Sequence, residues 1–564
     1  MDNNFFVNKV PLTTVKWGHA NPLYKERLEA LVCHVHLMTV HMYQFARFIF
    51  ISEFSLDPSF PIHTYICHSF FYEVFLCFDL QRRPITTKNN HTLAIRALLT
   101  KHHQAYSIAT GIATSLDEIV SAPNLNLGTF SAIANSTAIQ AVTAYNNGVK
   151  NQFGNFLRRT INRILDTKTR KKQLENSREW ANDHEFRAAC EEEIWKPARI
   201  FKDAIANAKP DNLSDEMKEL FRPMFAAYGT YTSEKGLYYD AKAHPERHLG
   251  AFYHVCRILE DKRVTNAQCF PLRTSFSPCH MTISTEVLCR NILQIPYNTT
   301  KPPLLEETWG LVLDLKSKPF KPTSGHQFRG TVSTDAVSIQ VQMELLSLNK
   351  SRFKRKRDKD SAASAAPTAS AASAAPTASA ASAAPTKKKS KIAQEFRYIH
   401  ELSKNELEAI KDRVVFIDPG RRDLLYCMSI NSTAKPWKTY RYTSNQRHSD
   451  TKMRHYRKLR NAIKPSEVSE AENRLSQLPG TSTNLEKFSS YLERRSQEAD
   501  TLTRYYTTTQ TVRRHDDAGK VSTTDQLTYP LFRRLLLSAH INMRQANEHL
   551  VQNLRAKFGA DAVL

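Results

Sequence analysis

Arg413–Ile430 reads RVVFIDPGRRDLLYCMSI. Val414, Val415, Phe416 and Ile417 form a short, continuous apolar run, and Asp418-Pro419-Gly420 stops it. Leu424, Leu425, Tyr426, Cys427 and Met428 make a second apolar run. The pattern predicts a buried strand, a turn and a returning strand. Asp418 is the carboxylate at the end of the first strand. Asp-Pro-Gly is also an ordinary β-turn, since proline presets φ and glycine accepts positive φ.

The surrounding chain has 564 residues, room for two to four domains. A hydrophobic content of 41% permits a packed core and excludes wholesale disorder. Lys and Arg number 79 against 55 Asp and Glu, a net charge of +24. That excess points to a polyanionic partner, most often nucleic acid, and to salt-sensitive binding. It names a partner class, not a chemistry. Nothing in the sequence points to a small-molecule substrate. The nine cysteines include no CxxC pair, the usual mark of structural zinc, so zinc is not expected and reduced, buried thiols are. The N-terminus MDNNFFVNKV has no apolar core of a secretory signal. The most apolar segment, Ala30–Ala46, carries His34, His36, His41 and Gln44; it is too short and polar to span a bilayer, so no membrane is expected.

Residues 5–15 (FFVNKVPLTTV) predict an isolated strand. Helical patterns follow at 23–52, 92–116, 131–166, 182–206 (kinked or split at Pro197) and 214–228, the last capped by Ser214. In 131–166 an apolar face of Ile133, Ile139, Val142, Val149, Phe153, Phe156, Leu157, Ile161 and Ile164 is followed by a basic end containing Arg158, Arg159 and Arg163. Those arginines suit either a solvated face with favourable end charges or a nucleic-acid-facing surface. Beyond Pro271, residues 309–315 (WGLVLDL) and 330–346 predict strands. The opening strand can pair with them, which would make the helical block an insertion into a β domain.

Residues 361–386 repeat the unit SAASAAPTA and hold no large apolar residue, so they predict a disordered linker. Basic clusters at 350–359 and 387–391 flank it and suit nuclear import, so the nucleus is the expected location. After the strand pair, 438–442 (KTYRY) predicts a third strand. Residues 449–477 predict basic helix broken near Pro465, in which Lys452, Arg454, Arg457 and Lys458 interleave with His455 and Tyr456. That mixture suits phosphate contact and base stacking, and is equally a common exposed-helix composition. A helix at 485–504, a loop at 513–519 and a long helix from Pro530 to Gly559 follow. The last has Leu536, Ala539, Met543, Ala546 and Leu550 as its core face. Residues 562–564 read as the start of another strand.

Three stretches carry a resemblance. They are Phe328–Ile339 (FRGTVSTDAVSI), Val414–Leu425 (VVFIDPGRRDLL) and Tyr442–Arg447 (YTSNQR). In order and spacing they resemble the strand before the nuclease domain, the first RuvC motif and the following segment of Fanzor proteins, the eukaryotic relatives of TnpB. Ala336 stands where that family has glycine. The resemblance covers about residues 325–460.

It implies an RNA-guided, RuvC-type DNA endonuclease with an RNase H-like nuclease fold, whose partners are a guide RNA and target DNA. Asp418 maps onto the first catalytic Asp, a ligand of Mg²⁺. One carboxylate cannot hold two hard cations against a phosphate, because such ions need several oxygen ligands. The family's further carboxylates and its four-cysteine zinc element come later than residue 564. Asp423 and Asp561 do not match its metal ligands. The chain therefore matches an N-terminal portion ending before the second RuvC motif and is not expected to cleave. The alternative is a nuclear, transposon-derived nucleic-acid-binding protein without catalysis.

The expected fold is α+β and multidomain. Residues 1–20 supply the first strand of a wedge-like β domain and 21–265 a mostly helical recognition region. Residues 266–349 complete the β region, 350–391 form the linker, and 392–564 are an incomplete RuvC-like α/β domain with a helical insertion.

Overall fold

The computed structural model describes residues 5–79, 87, 89–111, 129–176, 184–206, 210–231, 236–264, 267–298, 304–321, 326–345, 402–433, 437–507, 510–512, 527–529 and 531–563. The Ala/Ser/Pro repeat, both flanking basic clusters and the 513–519 loop lie outside the described residues. What is described is mixed α and β, dominated by helices with small sheets. It divides into two compact units, Met1–Glu344 with Pro465–Arg534, and Leu345–Lys464 with Leu535–Leu564.

In the first unit, β1 (Phe5–Pro11), β2 (Met281–Ser284), β3 (His326–Thr334) and β4 (Ser338–Leu345) form one sheet in the order β1-β4-β3-β2. β1 runs antiparallel to β4, with Phe5 opposite Glu344 and Pro11 opposite Ser338. The helices between β1 and β2 are thus enclosed in sequence by strands of a single sheet. Apolar runs bury those helices. Leu23–Leu56 is buried along most of its length and packs with His68–Leu76, Asn90–Thr110, Ser131–Ile164 and Pro245–Asp261 in one large core. Of the apolar face expected on Ser131–Ile164, Ile133, Val149, Phe153, Leu157 and Ile161 are buried, whereas Ile139 is 59% exposed; Ala134, Ala138, Ala141 and Tyr145 complete the buried stripe. Small residues at close helix contacts are invisible to a search for large apolar ones. Pro197 sits inside the continuous helix His184–Ala206 without splitting it. Ser214 occupies the N-cap of Asp215–Tyr228, but its side chain makes no cap hydrogen bond.

The strand expected at 309–315 is absent. Leu305–Gly310 is a helix with Glu306 and Glu307 in its first turn, where acidic residues are favoured. Trp309 is fully buried and donates its ring N–H to Thr285 Oγ1 at 3.0 Å. A run with only two β-branched or aromatic residues near its start was weak evidence for a strand.

The stretch 465–534 packs with the first unit. It forms helices Ser466–Ser476, Leu485–Gln497 and Ala499–Thr507, so the single helix expected at 485–504 is two, meeting at Glu498. Phe488, Tyr491 and Leu492 enter the large core. Arg47, 4% exposed, donates to the carbonyls of Gly480 and Ser482 and lies 4.1 Å above the Phe488 ring. Glu260 accepts from Ser482 Oγ at 2.5 Å and from Thr483 N and Oγ1 at 2.8 Å each. The buried Arg47 and the half-buried Glu260 thereby hold one turn.

In the second unit, β5 (Val415–Asp418), β6 (Asp423–Ser429) and β7 (Thr439–Thr443) form an antiparallel sheet in the order β5-β6-β7. The long helix Leu531–Phe558 packs its C-terminal half on one face, where Leu550, Leu554 and Phe558 meet Val415, Ile417, Leu425 and Cys427. Gly559, at φ +106°, ends it. Val563 then bridges to Val414 in parallel. Leu536 and Met543, expected in the helix core face, are 58% and 44% exposed; Ala546 is buried as expected, and Leu537 and Leu554 are buried in addition. A long helix offers several three-to-four spacings, and the sequence alone does not choose among them.

Candidate functional site

Asp418 ends β5 and faces Tyr426 across the ladder. The apolar runs that suggested a fully buried strand pair are buried on one face only. Val415 and Cys427 are covered, whereas Phe416 is 54% and Met428 39% exposed. Asp418, in register with Tyr426, is exposed, and its carboxylate has no hydrogen-bond or ion-pair partner among the described residues. The turn after it closes through Gly420 N–H donating to the Asp423 carbonyl at 2.8 Å. Gly420 is not at positive φ, contrary to the turn reading. It is needed for space, since a Cβ there would lie 3.0 Å from that carbonyl oxygen.

The other nearby acids are otherwise engaged. Asp423 accepts from Arg441 Nε at 2.7 Å. That ion pair is half-exposed and of modest energetic weight. Asp561 lies 3.6 Å from Arg413, at the start of the strand that Asp418 ends. Asp450 accepts from Tyr442 OH at 2.9 Å. Burial, followed by that bond and the Asp450 charge, raises the Tyr442 pKa. Among the described residues no group of three or more His, Cys, Asp or Glu side chains converges as a metal-holding set. Among the described residues the donor set around Asp418 is thus one free carboxylate, short of the several oxygen ligands that Mg²⁺ demands.

Helix Ser444–Asp450 follows β7 directly, capped by a reciprocal Thr443–Gln446 box. Met453–Ala462 comes next and has no buried residue. Lys452, with φ +54°, turns the chain between them. Lys452, Arg454, Arg457 and Lys458 are all exposed. Arg454 donates to Asn445 Oδ1 at 2.7 Å, and Tyr456 accepts from Asn542 Nδ2 at 2.7 Å, tying this helix to Leu531–Phe558. The same unit therefore carries Asp418 and this basic helix. Arg158, Arg159 and Arg163 lie on Ser131–Ile164 in the first unit and are exposed. Arg158 reaches Asn155 Oδ1 at 3.4 Å, and Arg159 lies 5.9 Å from the Phe156 ring. None of the three has an acid partner among the described residues.

The hairpin turn Thr334–Ser338 in the first unit is ordered by Asp335. Its carboxylate accepts from Val337 N at 3.1 Å, Ser338 N at 2.7 Å and Ser338 Oγ at 3.1 Å. Ala336 sits in that turn at φ +65°, a left-handed conformation that favours glycine. Glycine would suit this backbone, and this chain places alanine there under strain.

Among the described residues, no helix is long and apolar enough to cross a membrane. No curated protein matches the chain. A domain of unknown function (DUF8286) matches residues 281–345, the segment from β2 through the β3–β4 hairpin with its strained Ala336 turn.

Proposed function

We propose that the chain is a Fanzor-like nucleic-acid-binding protein, which holds a guide RNA and pairs it with DNA, and which does not cleave. The observation that carries the proposal is the strand arrangement around Asp418. Three antiparallel strands are followed by a long helix and then by a parallel bridge from Val563 back to Val414, beside the first strand. That is the order in which an RNase H-like sheet begins, with Asp418 at the end of its first strand. The exposed cations of Met453–Ala462 in the same unit, and those of Ser131–Ile164, supply phosphate contacts. The basic clusters beside the repeat direct the protein to the nucleus. Among the described residues Mg²⁺ would find one ligand, Asp418, and the proposed role is therefore binding without cleavage.

The test is fluorescence anisotropy of labelled RNA and of an RNA–DNA hybrid, with a cleavage assay in Mg²⁺ alongside. Binding that weakens steeply between about 50 and 200 mM salt is expected, unchanged by Asp418→Ala. Absence of binding at low salt rejects the proposal. Mg²⁺-dependent cleavage that Asp418→Ala abolishes would restore the enzyme reading.

A further inference from the structure

The short helix Leu237–Ala243, in the first unit, turns two tyrosines to solvent. Leu237, Asp240 and Ala241, at i, i+3 and i+4, form its inner face. Ala241 lies in the large core, Leu237 packs against it and Asp240 is buried. Tyr238, Tyr239 and Lys242 are left on the outer face, the tyrosines 64% and 67% exposed. Aromatic side chains carry much apolar area and are more often covered, so two adjacent ones in water call for an explanation.

Polar bonds hold the inner face. Asp240 Oδ2 accepts from Tyr231 OH at 2.7 Å and from His248 Nε2–H at 2.7 Å. His248 Nδ1 in turn accepts from Tyr228 OH at 2.8 Å. The buried carboxylate thereby ties the short helix to Asp215–Tyr228 and Pro245–Asp261 and fixes which side faces outward.

The outer rings form a corner, with centroids 5.3 Å apart and planes crossing at 82°. Lys242 Nζ donates to Tyr238 OH at 2.5 Å and lies 4.2 Å from that ring. An ammonium has three donors, so it keeps capacity for another acceptor. Arg247, exposed in the first turn of the next helix, lies 5.4 Å from the Tyr231 ring. Neither cation has an acid partner among the described residues. The short helix also packs against Ser131–Ile164, which carries the exposed Arg158, Arg159 and Arg163. From 237 to 261 no Leu, Ile, Val or Met is exposed, so the corner lacks the contiguous apolar area from which the core of a protein interface is built. Exposed rings beside unpaired cations match a base and its phosphates.

We infer that Tyr238 and Tyr239 form a stacking platform for one unpaired base of a single-stranded RNA, with Lys242 on the neighbouring phosphate. The inference rests on the RNA binding proposed above and assigns the surface on which an unpaired stretch lies.

The experiment titrates a labelled oligouridine and a labelled RNA duplex onto the full chain, with melting temperatures alongside. The proteins are wild type, Tyr238→Ala with Tyr239→Ala, Tyr238→Phe with Tyr239→Phe, and Lys242→Ala. The alanine pair should weaken oligouridine binding roughly tenfold, at an unchanged salt slope because no charge is lost, and leave duplex affinity as in wild type. The phenylalanine pair keeps both ring faces and should retain wild-type affinity. Lys242→Ala should make the logarithmic salt slope shallower by roughly 0.7. Wild-type oligouridine affinity in the folded alanine pair, as a protein-docking surface would give, overturns the platform and leaves RNA binding standing. So does an equal loss on the duplex or in the phenylalanine pair. If the alanine pair fails to fold, photocrosslinking of thiouridine-substituted RNA to wild type decides. A crosslink on the tryptic peptide 236–242 (GLYYDAK) supports the platform, and crosslinks confined to other peptides overturn it. If wild type binds neither RNA at low salt, the binding function and the platform fall together.

Discussion

Replacing Arg47 with methionine should loosen the segment from Gly480 to Gln497 without unfolding the first unit. The guanidinium is 4% exposed, donates to two carbonyls of the 480–482 turn and covers Phe488. Methionine fills much of the same volume and removes both donors. Each orphaned buried acceptor costs about 1–3 kcal/mol, and a desolvated cation–π contact is worth about 2 kcal/mol. Against this, the variant no longer buries a charge, which returns part of the loss. A net local cost of about 3 kcal/mol follows. It corresponds to a rise of about 150-fold in the opening equilibrium of the turn and of helix Leu485–Gln497. Amide hydrogen exchange across that helix reads this directly, with the amides of Ser131–Ile164 as internal control. Acceleration confined to 480–497 is the predicted result. Acceleration of less than about fivefold there would mean that the arginine does not hold the turn, and the energetic reasoning would fail.

Other outcomes follow from single residues. Burial pushes the pKa of His34 and His254 down to about 4 and that of His41 to about 3, all below the ordinary value near 6.5. The unfolded chain then binds protons that the folded chain does not. Stability is full above about pH 6.5 and falls by about 1.4 kcal/mol per pH unit for each histidine as pH drops toward 4. Equal melting temperatures at pH 7 and pH 5 would contradict this. At the left-handed Ala336, valine should cost about 2 kcal/mol or more, whereas glycine should stay within about 1 kcal/mol of wild type, because relief of backbone strain offsets its unfolded-state entropy and lost methyl. Urea midpoints decide, and a neutral Ala336→Val would refute the strain. Asp418→Ala removes an exposed carboxylate without a partner, so stability should change by less than about 0.5 kcal/mol; a loss above about 2 kcal/mol would mean that the aspartate is structurally engaged.

The strand pair around Asp418 was legible because two apolar runs and a Pro-Gly turn speak locally. The pairing of Phe5–Pro11 with the strands near residue 340 was legible because an isolated strand before a helical block needs a distant partner. The division of the 465–534 helices was not. Their attachment to the first unit depends on Arg47 and Glu260, more than 200 residues upstream, and on a turn of glycine, serine and threonine that has no signature as a docking element. The helix at Leu305–Gly310 was misread because a short apolar run carries neither a period of two nor one of 3.6. Ala336 offered a faint signal, a Thr-Asp-Ala-Val-Ser turn in which alanine takes a position suited to glycine.

The proposed guide-binding function is tested most directly by whatever RNA co-purifies with the protein. Purifying the full chain from cells of its source and sequencing the RNA bound to it tests the guide-binding claim without presupposing a target. The account predicts strong enrichment of one discrete RNA species, released as salt is raised. Bound RNA that mirrors the total cellular population, or no bound RNA at low salt, would contradict it.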